Sequence, residues 1–136
     1  ESGSSSVLHP SMRPLQFQGR EDIFDKEIDV PACSLNYIIN RIDSKRFPYI
    51  THLQTDLEGY DFDGVISAGS HLNNFIFVSC EWNHNTTESQ KRSFYELMVS
   101  NGFSVEKCEG GNIDFVNNKS KDVIISRGLT LRTHGL

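Results

Sequence analysis

The feature that most constrains the fold is a strand-like run, Tyr49 to Leu53, which leads through a short acidic turn into a segment of helical period beginning at Tyr60. The turn carries two carboxylates, Asp56 and Glu58. In open α/β sheets, ligands bind beyond the carboxyl ends of the strands, where such a turn lies. The carboxylates are therefore candidates for chemistry. Spacing alone favours the alternative that Asp56 caps the next helix and Glu58 is solvated, because acidic residues are common near helix starts.

The pattern along the rest of the chain predicts an α/β fold with parallel strands, crossover helices and a C-terminal antiparallel hairpin. The apolar run 75–80 is too short for most helices and suits a central strand that is covered on both faces. The other predicted parallel strands are 27–30 and 49–55. The predicted helices are 34–43, 60–72 and 88–101. In the second of these, Gly69 is a candidate for an early stop or for a close approach to the sheet. The hairpin strands are 103–108 and 113–116.

Local signals set several of these boundaries. Ser34 is a candidate cap for the first helix, and residues 87–90 have the form of a capping box for the third. Asn101-Gly102 is a good helix end. Gly110-Gly111 resembles a phosphate loop, but no helix follows it, which favours a hairpin turn. The run 123–125 in the tail is strand-like.

Composition limits the class of protein. The 136 residues suit a single domain, divided into a leader or loop at 1–22, an α/β body at 23–118 and a tail at 119–136. A net charge of -5 without a basic block argues against nucleic-acid binding. No apolar run approaches the length that spans a bilayer. The 3 cysteines form no C-x-x-C pair, so we expect free thiols, no cysteine zinc site and a cytoplasmic location. Cys80 lies in an apolar run and is expected in the core rather than as a nucleophile.

Five short motifs, taken in order, resemble the FkbM family of S-adenosylmethionine-dependent methyltransferases. The segment 53–60, L-Q-T-D-L-E-G-Y, resembles that family's K-I-D-V-E-G-[AYF]-E signature, and residues 2–8, S-G-S-S-S-V-L, resemble its S-G-x-S-S-L segment. The order of strands, ending in a hairpin, is similar to the second half of a class I methyltransferase fold. The remaining similar segments are V-P-A-C-S-L at 30–35, F-V-S-C-E at 77–81, and Y-E-L with N-G-F at 95–97 and 101–103.

The resemblance implies roles for particular residues. Asp56 matches the family's strand-end aspartate and would orient the acceptor hydroxyl or take its proton, and Glu58 would support the turn or contact substrate. Ser4 and Ser5 would contact the S-adenosylmethionine cofactor. Glu81 and His84 would line the pocket for a small-molecule acceptor, a sugar or metabolite hydroxyl. Two carboxylates without a third ligand do not justify a metal.

The sequence also departs from the family. Gln54 replaces the lysine two positions before the aspartate. The glycine-rich cofactor turn and the ribose-binding acidic residue of the first half are missing, so the chain resembles the carboxyl half of the domain. A longer chain or a partner would then supply the cofactor half. The alternative is a non-catalytic α/β binding or interaction module. An open sheet edge in such a half-domain predicts a possible homodimer.

Overall fold

The computed structural model of the chain describes residues 29–57, 59–82, 86–128 and 130. They form a mixed α/β fold around a four-stranded sheet with the strand order β1-β2-β4-β3. In chain order the elements are α1 (Leu35–Ile39), β1 (His52–Gln54), α2 (Asp61–Ile66), a 3₁₀ helix (Gly69–Asn74), β2 (Phe77–Glu81), α3 (Glu88–Ser100), β3 (Phe103–Glu109), β4 (Asn112–Asn117) and α4 (Asn118–Ser126).

The sheet combines one parallel pair with an inserted hairpin strand. β1 runs parallel to β2, and β4 is antiparallel both to β2 and to β3. Of the two strands of the predicted hairpin, only β3 lies at an edge of the sheet, since β4 pairs on both of its sides. Gly110 and Gly111 both have positive φ, 62° and 86°, which two-residue hairpin turns require. The interpretation of this pair as a turn is confirmed.

The first predicted strand is not part of the described sheet. Asp29 and Val30 are exposed and belong to no strand, and residues 27 and 28 lie outside the described residues. Ser34 does begin α1, because its side chain accepts a hydrogen bond from the Tyr37 N–H at 3.1 Å. The helix ends at Ile39 rather than near residue 43, since none of its residues is fully buried and little packing extends it.

The second and third helices follow their local signals. The predicted helix 60–72 is divided into α2 and the 3₁₀ helix, whose first residue, Gly69, has a φ of 56°. Only glycine adopts that conformation at low cost, so the α-helix stops early. α3 begins with the predicted capping box, in which Thr87 and Gln90 bond reciprocally. Gly102, at a φ of 85°, follows its last turn.

The strand-like prediction for 123–125 is wrong, because these residues lie in α4. The Asn117 side chain accepts a hydrogen bond from the Ser120 N–H at 3.2 Å and so begins the helix. Ile124 is 5% exposed and packs with Ile76, Phe77 and Val116 on one face of the sheet. That contact with distant residues selects the helix over the strand.

The main core lies on the other face of the sheet. α2 and α3 cover this face, with Val65, Phe94 and Met98 packed against Val78 and Phe115. The aromatic rings of Phe94 and Phe115 meet edge to face at 5.8 Å. Within the described residues, no helix has both the length and the hydropathy needed to cross a membrane.

Candidate functional site

Two of the predicted site residues lie at the carboxyl end of the parallel strand pair. β1 and β2 run in register, with Gln54 opposite Ser79, and the Thr55 N–H donates to the Ser79 carbonyl at 3.0 Å. Asp56 follows β1, and Glu81, half-buried, is the last residue of β2. Strand polarity therefore brings these two carboxylates to one edge of the sheet, as the sequence predicted. The other predicted site residues, Ser4, Ser5, Glu58 and His84, lie outside the described residues.

The alternative role of Asp56 as a helix cap is not the observed one. Tyr60 precedes the first residue of α2, and its side chain makes no capping hydrogen bond. Asp56 is exposed. No hydrogen bond or ion pair joins its carboxylate to any other residue of the described ranges. Solvent reaches the Asp56 carboxylate, and the pairing of β1 with β2 fixes the chain just before it. A ligand at this edge would therefore meet a carboxylate that has no hydrogen bond to the described residues.

Asp61 organises the turn between β1 and α2, and the sequence analysis did not identify it. It is only 3% exposed. Its carboxylate accepts hydrogen bonds from the Leu57 N–H at 3.3 and 3.4 Å and from the Gly59 N–H at 3.4 Å. Gly59 has a φ of 112°, which lets the backbone turn its N–H toward Asp61. An aspartate in the first turn of a helix, two residues after a glycine, was the available signal.

Cys80 illustrates the electrostatics beneath this edge. The thiol is 1% exposed in the main core. Burial, followed by the nearby charges of Asp61 and Asp114, raises the pKa of Cys80 from its ordinary value of 9.0 to about 12. The thiolate is the nucleophilic form. At neutral pH Cys80 therefore stays a protonated thiol, which is not nucleophilic. The prediction that it is not a nucleophile is consistent with this raised pKa.

The second face of the sheet carries polar groups near the same edge. The Ser79 hydroxyl donates to the Asp114 carboxylate at 2.6 Å across β2 and β4. Both residues are partly buried. Gln54 lies beside Ser79 in the β1–β2 register and is exposed. This face therefore offers a short, charge-assisted hydrogen bond rather than an apolar surface at the carboxyl end.

The described residues do not by themselves fit S-adenosylmethionine. Such a cofactor is held by the free N–H groups of a glycine-rich strand-to-helix turn. In the turn between β1 and α2, Asp61 takes the N–H groups of Leu57 and Gly59. The turn at Gly110 leads into a strand. Likewise, the described ranges contain no group of three or more His, Cys, Asp or Glu residues that could hold a metal ion.

A separate cavity of about 840 Å³ lies at the opposite end of the sheet. Ile50 and Asn74, which precede β1 and β2, line it together with Gly102, which precedes β3, and Ser120 of α4. The sequence analysis placed no site there. Asp56 lies beyond the other end of β1, so the cavity and the predicted catalytic edge are distinct parts of the molecule.

Comparison of the chain with protein-family models, with curated proteins and with solved structures gives no match. The similarity to the FkbM family therefore stays a prediction made from the motifs, and the mixed α/β sheet is what the structure itself establishes.

Proposed function

We propose that this chain carries the acceptor-binding half of an S-adenosylmethionine-dependent methyltransferase domain, which acts on a hydroxyl of a sugar or small metabolite. The observation that carries the proposal is Asp56. It follows β1 at the carboxyl end of a parallel strand pair, is exposed, and matches the aspartate of the motif L-Q-T-D-L-E-G-Y. The sheet supports the proposal, because a parallel pair followed by an antiparallel hairpin is the ending that the resemblance implies.

Asp56 would act on the acceptor in this proposal. A carboxylate accepts a hydrogen bond from a substrate hydroxyl, fixes the direction of its oxygen lone pairs and takes the proton as that oxygen reacts. The hydrogen bonds from Leu57 and Gly59 to Asp61 hold the turn that follows Asp56. They reduce the reorganisation that substrate binding would otherwise require.

The cofactor belongs to residues other than those described. S-adenosylmethionine supplies an electrophilic methyl group when it is bound, and the described residues offer no site for it. The proposal therefore needs a cofactor-binding part from the rest of the chain, from a longer polypeptide or from a partner. This requirement can be tested directly on the chain.

Isothermal titration calorimetry with S-adenosylhomocysteine and S-adenosylmethionine tests the proposal. We expect micromolar binding, about -8 kcal/mol, if the chain completes a cofactor site. Asp56→Ala should leave that affinity unchanged within about threefold, because Asp56 serves the acceptor, and should abolish methyl transfer to an acceptor. Asp63→Ala, an exposed carboxylate on α2, is the matched control. Absence of binding by a sample that circular dichroism shows to be folded would exclude a cofactor site within this chain, so that a longer polypeptide or a partner would have to supply it. Methyl transfer by the complete assembly that Asp56→Ala leaves unchanged would contradict the proposed role of Asp56.

A non-catalytic α/β binding module is the second candidate. It is favoured by the cavity of about 840 Å³, which lies at the end of the sheet away from Asp56. A protein of this class would bind a small molecule there without turnover. Ligand binding that Asp56→Ala does not affect, together with no affinity for either form of the cofactor, would select this candidate.

A further inference from the structure

The cavity at the amino end of the sheet has the size and composition of a small-molecule site. Its volume of about 840 Å³ falls within the roughly 300–1,000 Å³ that is typical of ligand pockets. Ile50 before β1, Asn74 before β2 and Gly102 before β3 converge on it. Because it is built from the ends of several elements around the sheet, its shape depends on the folded core.

One wall of the cavity is apolar and partly aromatic. Ile42, Phe47, Tyr49 and Ile50 contribute to it. Phe47 remains 53% exposed, although burial of a phenylalanine side chain is normally favourable. The Tyr49 hydroxyl accepts a hydrogen bond from the Arg127 guanidinium at 2.9 Å, which fixes this ring at the rim. The wall is suited to a flat apolar body.

Other residues that line the cavity are polar, and hydrogen bonds already connect them. The ring of His71 meets the Asn40 side-chain oxygen Oδ1 through Nε2 at 3.1 Å and the Asn74 side-chain amide nitrogen through Nδ1 at 3.2 Å. The Ser120 hydroxyl donates to the Asn73 carbonyl at 2.8 Å. These bonds join α1, the 3₁₀ helix and α4, so the polar groups are held in place before a ligand arrives.

Among the described residues, the charge that lines the cavity has a single sign. No Asp or Glu of these ranges lines it, although the chain has 18 acidic and 13 basic residues. Asp43, close in sequence, instead accepts the Lys45 N–H at 2.9 Å. Lys119 lines the cavity, and its ammonium group pairs with no carboxylate among the residues that the structure describes. An uncompensated lysine beside neutral amides attracts an anion.

We propose that this cavity binds a small molecule in which a carboxylate or phosphate group, paired with Lys119, is attached to a flat apolar body that packs on Phe47 and Tyr49. This inference is independent of the proposed methyltransferase function, because the cavity lies at the other end of the sheet from Asp56.

Nuclear magnetic resonance titration of the full chain with four probes tests the inference. Benzoate carries a carboxylate on a phenyl ring, and phenyl phosphate carries a phosphate on the same kind of ring. Benzyl alcohol is neutral, and benzylamine is cationic. We expect the anions to shift the backbone amide signals of Asn74, Gly102 and Ser120, with dissociation constants about tenfold or more below those of the other two probes. The stronger of the two anions identifies the preferred head group.

Two substitutions on one helix separate the local charge from the net charge. Lys119→Gln should weaken anion binding about tenfold. Lys121→Gln removes the same charge from the same helix, but Lys121 lies over the Phe77 ring outside the cavity, so its effect should stay within about twofold. Ser44→Trp, at an exposed turn that lines the cavity, should reduce binding of all the probes by filling space.

Three results would overturn the inference. The first is equal affinity for benzylamine and benzoate. The second is equal weakening of anion binding by Lys119→Gln and Lys121→Gln. The third is the lack of any localised amide shift with either anion at about 10 mM, a concentration at which even weak fragments bind.

Discussion

Asp61 shows how one buried carboxylate holds the turn before a helix that has no side-chain cap. Helices leave their first N–H groups without partners, and a side chain before the helix usually accepts them. Here Tyr60 provides no such acceptor. Asp61 instead accepts from Leu57 and Gly59, which precede α2. The carboxylate therefore stabilises the connection between β1 and α2, and it also keeps these N–H groups from serving as an anion site.

Cys80 provides a prediction at the residue scale. Its folded-state pKa of about 12 lies above the ordinary 9.0 expected when the chain is unfolded. Above about pH 9 the unfolded chain therefore releases a proton that the folded protein retains. The contribution of the protonated thiol to the free energy of unfolding is fully present below about pH 9. It is lost as pH rises toward the folded-state pKa, by about 1.4 kcal/mol for each pH unit.

Urea unfolding between about pH 8.5 and pH 10.5 measures this loss. Cys80→Ala provides the comparison, because it lacks the thiol while other titrating groups stay the same. Its own cost in packing does not depend on pH. We expect the free energy of unfolding of the wild-type protein to fall more steeply with pH than that of the variant. Parallel pH profiles would show that the Cys80 pKa is not raised in the folded protein.

At the scale of elements, Asn117 joins two helices to the sheet. It is 3% exposed at the end of β4. Its side-chain oxygen accepts a hydrogen bond from the Ser120 N–H at the start of α4, and its side-chain amide donates to the Asn101 backbone carbonyl at the end of α3, each at 3.2 Å. One side chain thus satisfies polar groups from both helices, and its loss would leave both without partners.

Asn117→Ala should lower the free energy of unfolding by about 1–3 kcal/mol. Asn117→Asp keeps the acceptor for Ser120 but places a buried carboxylate oxygen against the Asn101 carbonyl, so we expect a loss at least as large as that of Asn117→Ala. The exposed neighbour Asn118→Ala is the control and should change stability by about 0.5 kcal/mol or less. Chemical denaturation of all three variants checks the order. An Asn117→Ala variant as stable as Asn118→Ala would contradict this role.

The elements that the sequence predicted correctly are those set by interactions between residues close together in the chain. The capping box at Thr87, the stop at Gly102 and the turn at Gly110 and Gly111 each depend on residues a few positions apart, and each is observed. The run 123–125 was misassigned because its β-branched residues favour strands, whereas the packing of Ile124 on the far side of the sheet decides the outcome. Sequence spacing does not contain that contact.

The candidate site follows the same division. Asp56 and Glu81 could be predicted at one edge because parallel strands place their carboxyl ends together. Asp61 was missed although its place two residues after Gly59 was a signal, because its role depends on burial in the first turn of α2. The cavity was also missed, because its lining comes from segments spread between Ile39 and Ile124, which only the folded chain brings together.

At the scale of the whole molecule, the central strands of the sheet are more firmly held than α1. β2 and β4 are paired on both sides and contribute Val78 and Phe115 to the main core. α1, in contrast, has no fully buried residue. Ser67 attaches it to the body, since the Ser67 hydroxyl and carbonyl oxygens accept the N–H groups of Leu35 and Asn36, each at 3.0 Å. α1 should therefore open without unfolding the sheet.

Hydrogen exchange followed by nuclear magnetic resonance tests this hierarchy. We expect the amides of β2 and β4 to exchange about a hundredfold or more slowly than those of α1. Ser67→Ala removes one acceptor from α1, worth about 1 kcal/mol, and should speed exchange there about fivefold while leaving β2 and β4 unchanged. Ser126→Ala is the control, because the hydroxyl that it removes donates only within α4. If Ser67→Ala accelerates exchange equally in α1 and β2, then α1 unfolds only together with the sheet, and its attachment is part of the global stability rather than a local contact.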